Sequence, residues 1–115
     1  MESRLMPQTR IRFRHLRTFI EVARQKSVGR AADVLGVTQP AVTKTIRELE
    51  DILDKRLFEK EGRGVRITRY GEVFLRHAGT SVAAVQQGID SLSRLNTGAL
   101  VRIGALPTVS ARIMP

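Results

Sequence analysis

The sequence predicts a mainly α fold with one short β-hairpin, and three observations lead there. Apolar residues recur at spacings of three and four through most of the chain. Helix-capping and helix-stopping residues stand where those runs begin and end, at Ser27, Gly36, Thr38 and Thr68. One stretch alone, RLFEKEGRGVRIT at 56–68, switches to alternation around two glycines.

Arg12 to Lys26 reads as the first helix. Phe13, Leu16, Ile20 and Ala23 build an apolar stripe, with Phe19 beside them. Ser27 then N-caps a short helix carried by Val28, Ala31, Ala32 and Leu35, and Gly36 ends it. Thr38 starts a third helix, with Pro40 in the first turn, where a missing N–H costs nothing. Val42, Ile46, Leu49 and Leu53 form its core face. Gln39, Thr43, Lys44 and Arg47 lie away from that face, and none of them is acidic. Two helices joined by a short glycine-containing turn make a helix-turn-helix. In 56–68, Gly62 and Gly64 bracket Arg63, while Val65 and Ile67 alternate with Arg66. That is a hairpin with a basic tip, and beside a helix-turn-helix it would be a wing.

Thr68 is expected to cap a long fourth helix running to about Leu95. Leu75, Ala78, Val82, Val85, Ile89 and Leu92 follow one another at alternating steps of three and four, a heptad seam. At about 1.5 Å per residue such a helix would be about 40 Å long, more than so small a domain covers. The seam is therefore expected to pair with a second copy, giving a homodimer. Asn96-Thr97-Gly98 should end the helix, and Leu100 to Ile103 reads as a buried strand turning at Gly104. A lone strand cannot place its ladder hydrogen bonds, so the sequence is expected to be the N-terminal piece of a longer protein. The expected organisation is a basic arm at 1–11, a winged helix-turn-helix at 12–68, a dimerisation (linker) helix at 69–95 and a further segment at 96–115.

Charge supplies the functional direction. The 115 residues carry a net +9, which suits a polyanionic partner. Residues 1–30 hold eight basic side chains and two acids, and no acid occurs from Val34 through Arg47. With 42% hydrophobic residues the chain can bury a core, and with 4% aromatics that core must rest on Leu, Ile, Val and Ala. The absence of cysteine removes disulfides, cysteine-based zinc sites and thiol nucleophiles. His15 and His77 stand apart without a second ligand, so no metal is expected. No window approaches the roughly 18 apolar residues of a membrane span. A cytoplasmic protein that needs no cofactor is the expectation. Nor is an enzyme indicated: no Ser/His/Asp set is evident and Gly62-x-Gly64 falls far short of a nucleotide loop. The acids most simply form helix-surface pairs, Lys44 with Glu48 and Asp51 with Lys55.

The run SVGRAADVLGVTQPAVTKTIRELEDIL, followed by RLFEKEGRGVRITRYGEVF, resembles the amino-terminal domain of LysR-type transcriptional regulators. The resemblance rests on Ala31-Ala32, on Thr38-Gln39-Pro40-Ala41-Val42-Thr43, on Leu49-Glu50, on Leu57-Phe58, and on Thr68 with Gly71. It covers about residues 12–104. Within the family the chain looks like regulators of protocatechuate or sugar-uptake genes. The resemblance implies double-stranded operator DNA as partner, a dimer that could be a tetramer at full length, and a carboxy-terminal effector domain that binds a small inducer. That domain's first strand would be Val101 to Ile103, and Pro107, Thr108 and Ser110 would lie where its pocket begins.

The same likeness places the third helix in the major groove. Gln39 can donate and accept at adenine N6/N7, and Thr43 offers a hydroxyl and a methyl. Pro40 and Ala41 suit a thymine methyl. Lys44 and Arg47 can reach phosphate or guanine, while Thr38, Ser27 and Arg30 are candidates for phosphate. Arg63, with Arg66 nearby, is the candidate for the minor groove. The plainer reading makes Gln39 and Thr43 solvated helix residues, and Arg63 and Arg66 loop residues that aid solubility. Lys60 stands where the family usually has arginine, which keeps the charge and loses the planar fork. The alternative function is a nucleoid-type architectural protein binding DNA with little sequence choice.

Overall fold

Thirteen residues, Phe13–Gln25, form helix α1 in a computed structural model that describes residues 10–103, with side chains described to Leu95. The arm through residue 9 and the part from residue 104 onward of the expected hinge and effector-domain segment at 96–115 lie outside the described residues. Lys26 ends α1 at φ 57°, its N–H donating to the Val22 carbonyl. Helix α2, Val28–Leu35, starts at Ser27, whose Oγ accepts the Arg30 N–H at 3.1 Å, and ends at Gly36 with φ 71°. Helix α3, Gln39–Leu53, starts at Thr38, whose Oγ1 accepts the Ala41 N–H at 3.2 Å. Ser27 and Thr38 each satisfy an amide that the helix cannot satisfy itself, and Lys26 and Gly36 donate to carbonyls near the helix ends.

The hairpin pairs β1, Phe58–Glu61, antiparallel with β2, Gly64–Ile67. Its turn is Gly62-Arg63, and Gly62 sits at φ 59°, the first central position where a tight hairpin turn demands glycine. Gly64 is required for a different reason: a Cβ there would run into the Lys26 carbonyl oxygen. That same oxygen accepts the Val65 N–H at 3.1 Å, so the second strand is bonded to the end of α1. Thr68 closes the hairpin. Its N–H donates to the Leu57 carbonyl at 2.9 Å, its hydroxyl donates to the Arg56 carbonyl at 2.6 Å, and its Oγ1 accepts the Gly71 N–H at 3.1 Å. The last of these caps helix α4, Arg69–Ile103.

The chain divides after Val82 into two units. The first holds the core: Phe19, Val22, Ala31, Ala32, Val42, Ile46, Leu49, Leu57, Phe58 and Ala78 are buried together. At its centre Phe19 is 0% exposed, and its ring meets those of Phe58 and Phe74 at centroid distances of 5.4 and 5.5 Å. Three elements thus join through one side chain: α1, β1 and α4. The second unit, described to Ile103, is the remainder of α4, on which Val85, Ile89, Leu92 and Leu95 are exposed.

Three expectations are corrected. Phe13 is 44% exposed and outside the core; the buried residues of α1 are His15, Phe19, Glu21 and Val22. Leu75 and Ala78 pack against the first unit's own core, so the predicted seam is divided: its early positions serve the fold and its later ones stay open. Finally, α4 does not stop at Leu95, and 100–103 is helical where a strand was expected. Asn96-Thr97-Gly98 carries a propensity penalty of only about 1 kcal/mol at its glycine, and no proline follows before Pro107. With no partner strand beside it among the described residues, the helix satisfies its amides by continuing.

Candidate nucleic-acid interface

Gln39, Thr43 and Arg47 are spaced by four along α3 and form one ridge on its outward side. Val42, Ile46 and Leu49 turn the other way into the core, which fixes the ridge's direction. Between α3 and the hairpin runs a groove of about 360 Å³, lined by Gln39, Thr43 and Arg47 from the helix and by Lys60, Arg63 and Gly64 from the hairpin. A second, shallower hollow on the other flank adds Pro40 and Lys44 to the same ridge. The structure therefore brings Gln39, Pro40, Thr43, Lys44, Arg47 and Arg63 to one face. Ser27 also adjoins it: a methyl built on Gly29 would stand 3.2 Å from Gln39 Nε2 and 3.7 Å from Ser27 Oγ. The start of α2 and the start of α3 are thus side by side. Ser27 and Thr38 use their oxygens as helix caps, which leaves each hydroxyl proton to donate to a phosphate. Ala41 and Arg30 are exposed, and Arg30 lies outside the lining of either hollow.

Arg66 is set differently from Arg63. It stands opposite Glu59 in the hairpin register, and its guanidinium reaches the Glu59 carboxylate at 2.7 Å and that of Glu61 at 3.8 Å. The Glu59 hydrogen bond holds the guanidinium pKa above its usual value. Glu59, Glu61 and Arg66 together make the outward face of the hairpin acidic on balance, whereas Lys60 shares the opposite face with Phe58. Sequence reasoning gave Arg66 the same role as Arg63 because both are basic and close in sequence. The alternation of the strand was the signal that separates them. Arg56 also lines the groove and was not singled out in the sequence, although it opens the alternating stretch at 56–68.

Glu48, which lines the second hollow beside the ridge, does not pair with Lys44 as expected. Its Oε1 receives His15 Nε2 at 3.1 Å and Arg14 Nη2 at 3.3 Å, and His15 Nδ1 accepts the Arg12 N–H at 2.8 Å. With Nδ1 accepting, a neutral imidazole carries its proton on Nε2 and donates it to Glu48. His15 is buried, and both its ring nitrogens are engaged in tying the start of α1 to α3. The His15 hydrogen bond, helped by Arg14, holds the Glu48 carboxyl below the usual carboxylate range. A depressed carboxyl contributes stability above its unfolded value and loses it as pH falls through its folded value. Glu48→Gln is therefore expected to melt lower than the native chain near neutrality, with the gap closing as pH falls through the lowered range of the native carboxyl. Melting curves that stay parallel across that range would show that the pair carries no pH-dependent stability.

Residues 13–72 match the family model described as bacterial regulatory helix-turn-helix protein, lysR family. The chain is 66% identical over 112 residues to the HTH-type transcriptional regulator PcaQ of Agrobacterium fabrum, a match covering 96% of this chain and 36% of that protein. It is 45% identical over 118 residues to the uncharacterized HTH-type transcriptional regulator YdcI of Escherichia coli, covering all of this chain and 38% of that one. The chain thus spans little more than a third of the length of these relatives. Among solved structures, the DNA-binding domain of BenM in complex with catB site 1 DNA aligns with TM-score 0.72 and 32% identity, covering 77% of this chain and 96% of that one. Full-length CbnR complexed with its target DNA aligns with TM-score 0.67 and 32% identity over 72% of this chain and 29% of that one.

Proposed function

Because the chain belongs to the LysR family of bacterial regulatory helix-turn-helix proteins, we propose that it reads an inverted-repeat operator as a dimer, with α3 in the major groove and the hairpin as a wing. The observation that carries this reading is the single face shared by Gln39, Thr43, Arg47 and Arg63 across one groove. On that face Gln39 and Thr43 supply base-edge donors and acceptors, Pro40 and Ala41 supply apolar contact for a thymine methyl, and Lys44 and Arg47 supply charge. Ser27, Thr38 and Arg30 are assigned to phosphate, which positions the domain without reading sequence. Arg63 at the hairpin turn is assigned to the minor groove. Arg66, held by Glu59 and Glu61, is assigned to the hairpin itself rather than to DNA.

The chain works by binding and not by catalysis; its relatives are transcriptional regulators. The identity to PcaQ supports the protocatechuate subgroup, and by that likeness a small inducer would act through a domain beyond this chain. Architectural binding is not favoured. A solved structure of this likeness holds a named DNA site, catB site 1, and the hairpin tip offers glycine and arginine instead of an apolar wedge. No described helix is long and apolar enough to cross a membrane, and a cytoplasmic location agrees with a DNA partner.

Selection of bound duplexes from a random pool, at one fixed salt near physiological, tests the reading. An enriched inverted repeat with half-sites roughly 34–36 Å apart, or a multiple of that, is the expected result. Retention without an enriched motif would mean that phosphate attraction dominates. On the recovered operator, Gln39→Ala is expected to weaken binding by about 1–3 kcal/mol and to relax preference at one base pair. Equal losses on operator and random duplex would remove Gln39 from base reading.

A further inference from the structure

We propose that Glu50 is a positioning residue: from α3 it fixes the hairpin in place, so the helix that reads the major groove also sets where the wing falls. Glu50 follows Arg47 by about one turn and lies on the inner flank of the ridge. Its side chain is 13% exposed. The Leu57 N–H donates to its Oε2 at 2.7 Å, the Phe58 N–H donates to the same oxygen at 3.4 Å, and Arg56 Nε stands 3.8 Å away. These are the residues that lead into and begin β1. A carboxylate accepting backbone amides is shorter and stronger than a neutral acceptor, and partial burial shields it from competing water.

The carbonyls of this lead-in are also fixed. Arg56 and Leu57 give theirs to the Thr68 hydroxyl and amide, which closes the base of the hairpin on itself. That closure does not orient the hairpin; orientation needs bonds to the rest of the domain. Among the described residues three such bonds reach its backbone: those of the Leu57 and Phe58 amides to Glu50, at the start of β1, and that of the Val65 amide in β2 to the Lys26 carbonyl. Of these, the two Glu50 bonds start from the helix assigned to base reading. Phe58 adds packing against Phe19, which anchors depth and resists rotation about the hairpin axis less than a directed hydrogen bond does. Glu50 is therefore the group whose loss lets the wing swing relative to Gln39 and Thr43 while the core survives.

The inference rests on the reading that the wing contacts DNA, and the test separates the two. Duplexes carry the recovered operator with the bases under α3 unchanged and the step under the wing either A·T or G·C. The native chain is expected to prefer A·T there by about tenfold. Glu50→Ala is expected to reduce that preference to about twofold or less while keeping its discrimination among the bases under α3. Glu50→Gln, which keeps an acceptor oxygen, should fall between. Hydrogen exchange of the Leu57 amide in the free protein, expected to accelerate at least about tenfold in Glu50→Ala, reports the bond without DNA. Full flank preference in Glu50→Ala, unchanged exchange at Leu57, or a proportional loss of both kinds of discrimination would each overturn the proposal. A native chain indifferent to the flank, with Arg63→Ala binding as tightly as the native chain, would instead remove the wing reading and this proposal with it.

Discussion

Replacing Val85 and Ile89 together by aspartate is expected to yield a monomer whose operator affinity is lower by about a hundredfold or more. Both side chains lie open on α4, 48% and 52% exposed, four residues apart and on one face with Leu92 at 69%. Apolar side chains at heptad spacing that remain this exposed are what a second copy of the helix would cover. Two aspartates would have to be buried in that contact, and an unpaired buried charge costs more than the contact returns. The loss on DNA follows from arithmetic. With two half-sites held by one dimer, the second binding event is intramolecular, and a monomer forfeits that advantage. Neither residue belongs to the buried cluster of the first unit, so the variant should fold normally. Sedimentation decides it, and an intact dimer would remove the helix from the proposed dimer contact.

The second large effect concerns the core. Phe19→Ala is expected to cost about 3–5 kcal/mol, out of the roughly 5–15 kcal/mol that holds a domain of this kind folded. The residue is fully buried and its ring bridges Phe58 and Phe74, so no single neighbour can collapse into the hole. The vacancy also opens toward the hairpin and toward α4. Phe19→Leu refills most of the volume and loses the two ring contacts, and it is expected to cost about 1–2 kcal/mol. Urea unfolding of the two variants against the native chain measures both values. A loss below about 1 kcal/mol for the alanine variant would show that the ring cluster is not central.

The elements that were legible in the sequence are those whose signals are local. Ser27, Gly36 and Thr38 announce their roles within three or four residues, and the caps form where the spacing put them. The ridge of Gln39, Thr43 and Arg47 was legible for the same reason, since helical period alone separates it from Val42, Ile46 and Leu49. Partnerships between distant residues were not. His15 meets Glu48 across 33 positions, and a histidine on an apolar stripe gives no sign of which carboxylate will find it. Phe13 was misplaced because helical spacing fixes a stripe but not how wide an arc the neighbours cover. Leu75 and Ala78 fit a heptad and a core face equally well, because both demand the same residues at the same period. The carboxylate of Glu50 looked like one more surface acid until its bonds to the hairpin amides were seen.

The bond from the Val65 amide to the Lys26 carbonyl has a colloidal consequence. A free-standing hairpin presents an open edge, and open edges recruit strands from other molecules. In a strand of four residues alternate amides point outward, so β2 offers only two, at Val65 and Ile67. One of the two is already held by the protein's own backbone. The face beside it bears Glu59, Glu61 and Arg66, charges that an incoming strand would have to desolvate. At high protein concentration the second strand therefore offers neighbouring molecules little template for β-sheet growth.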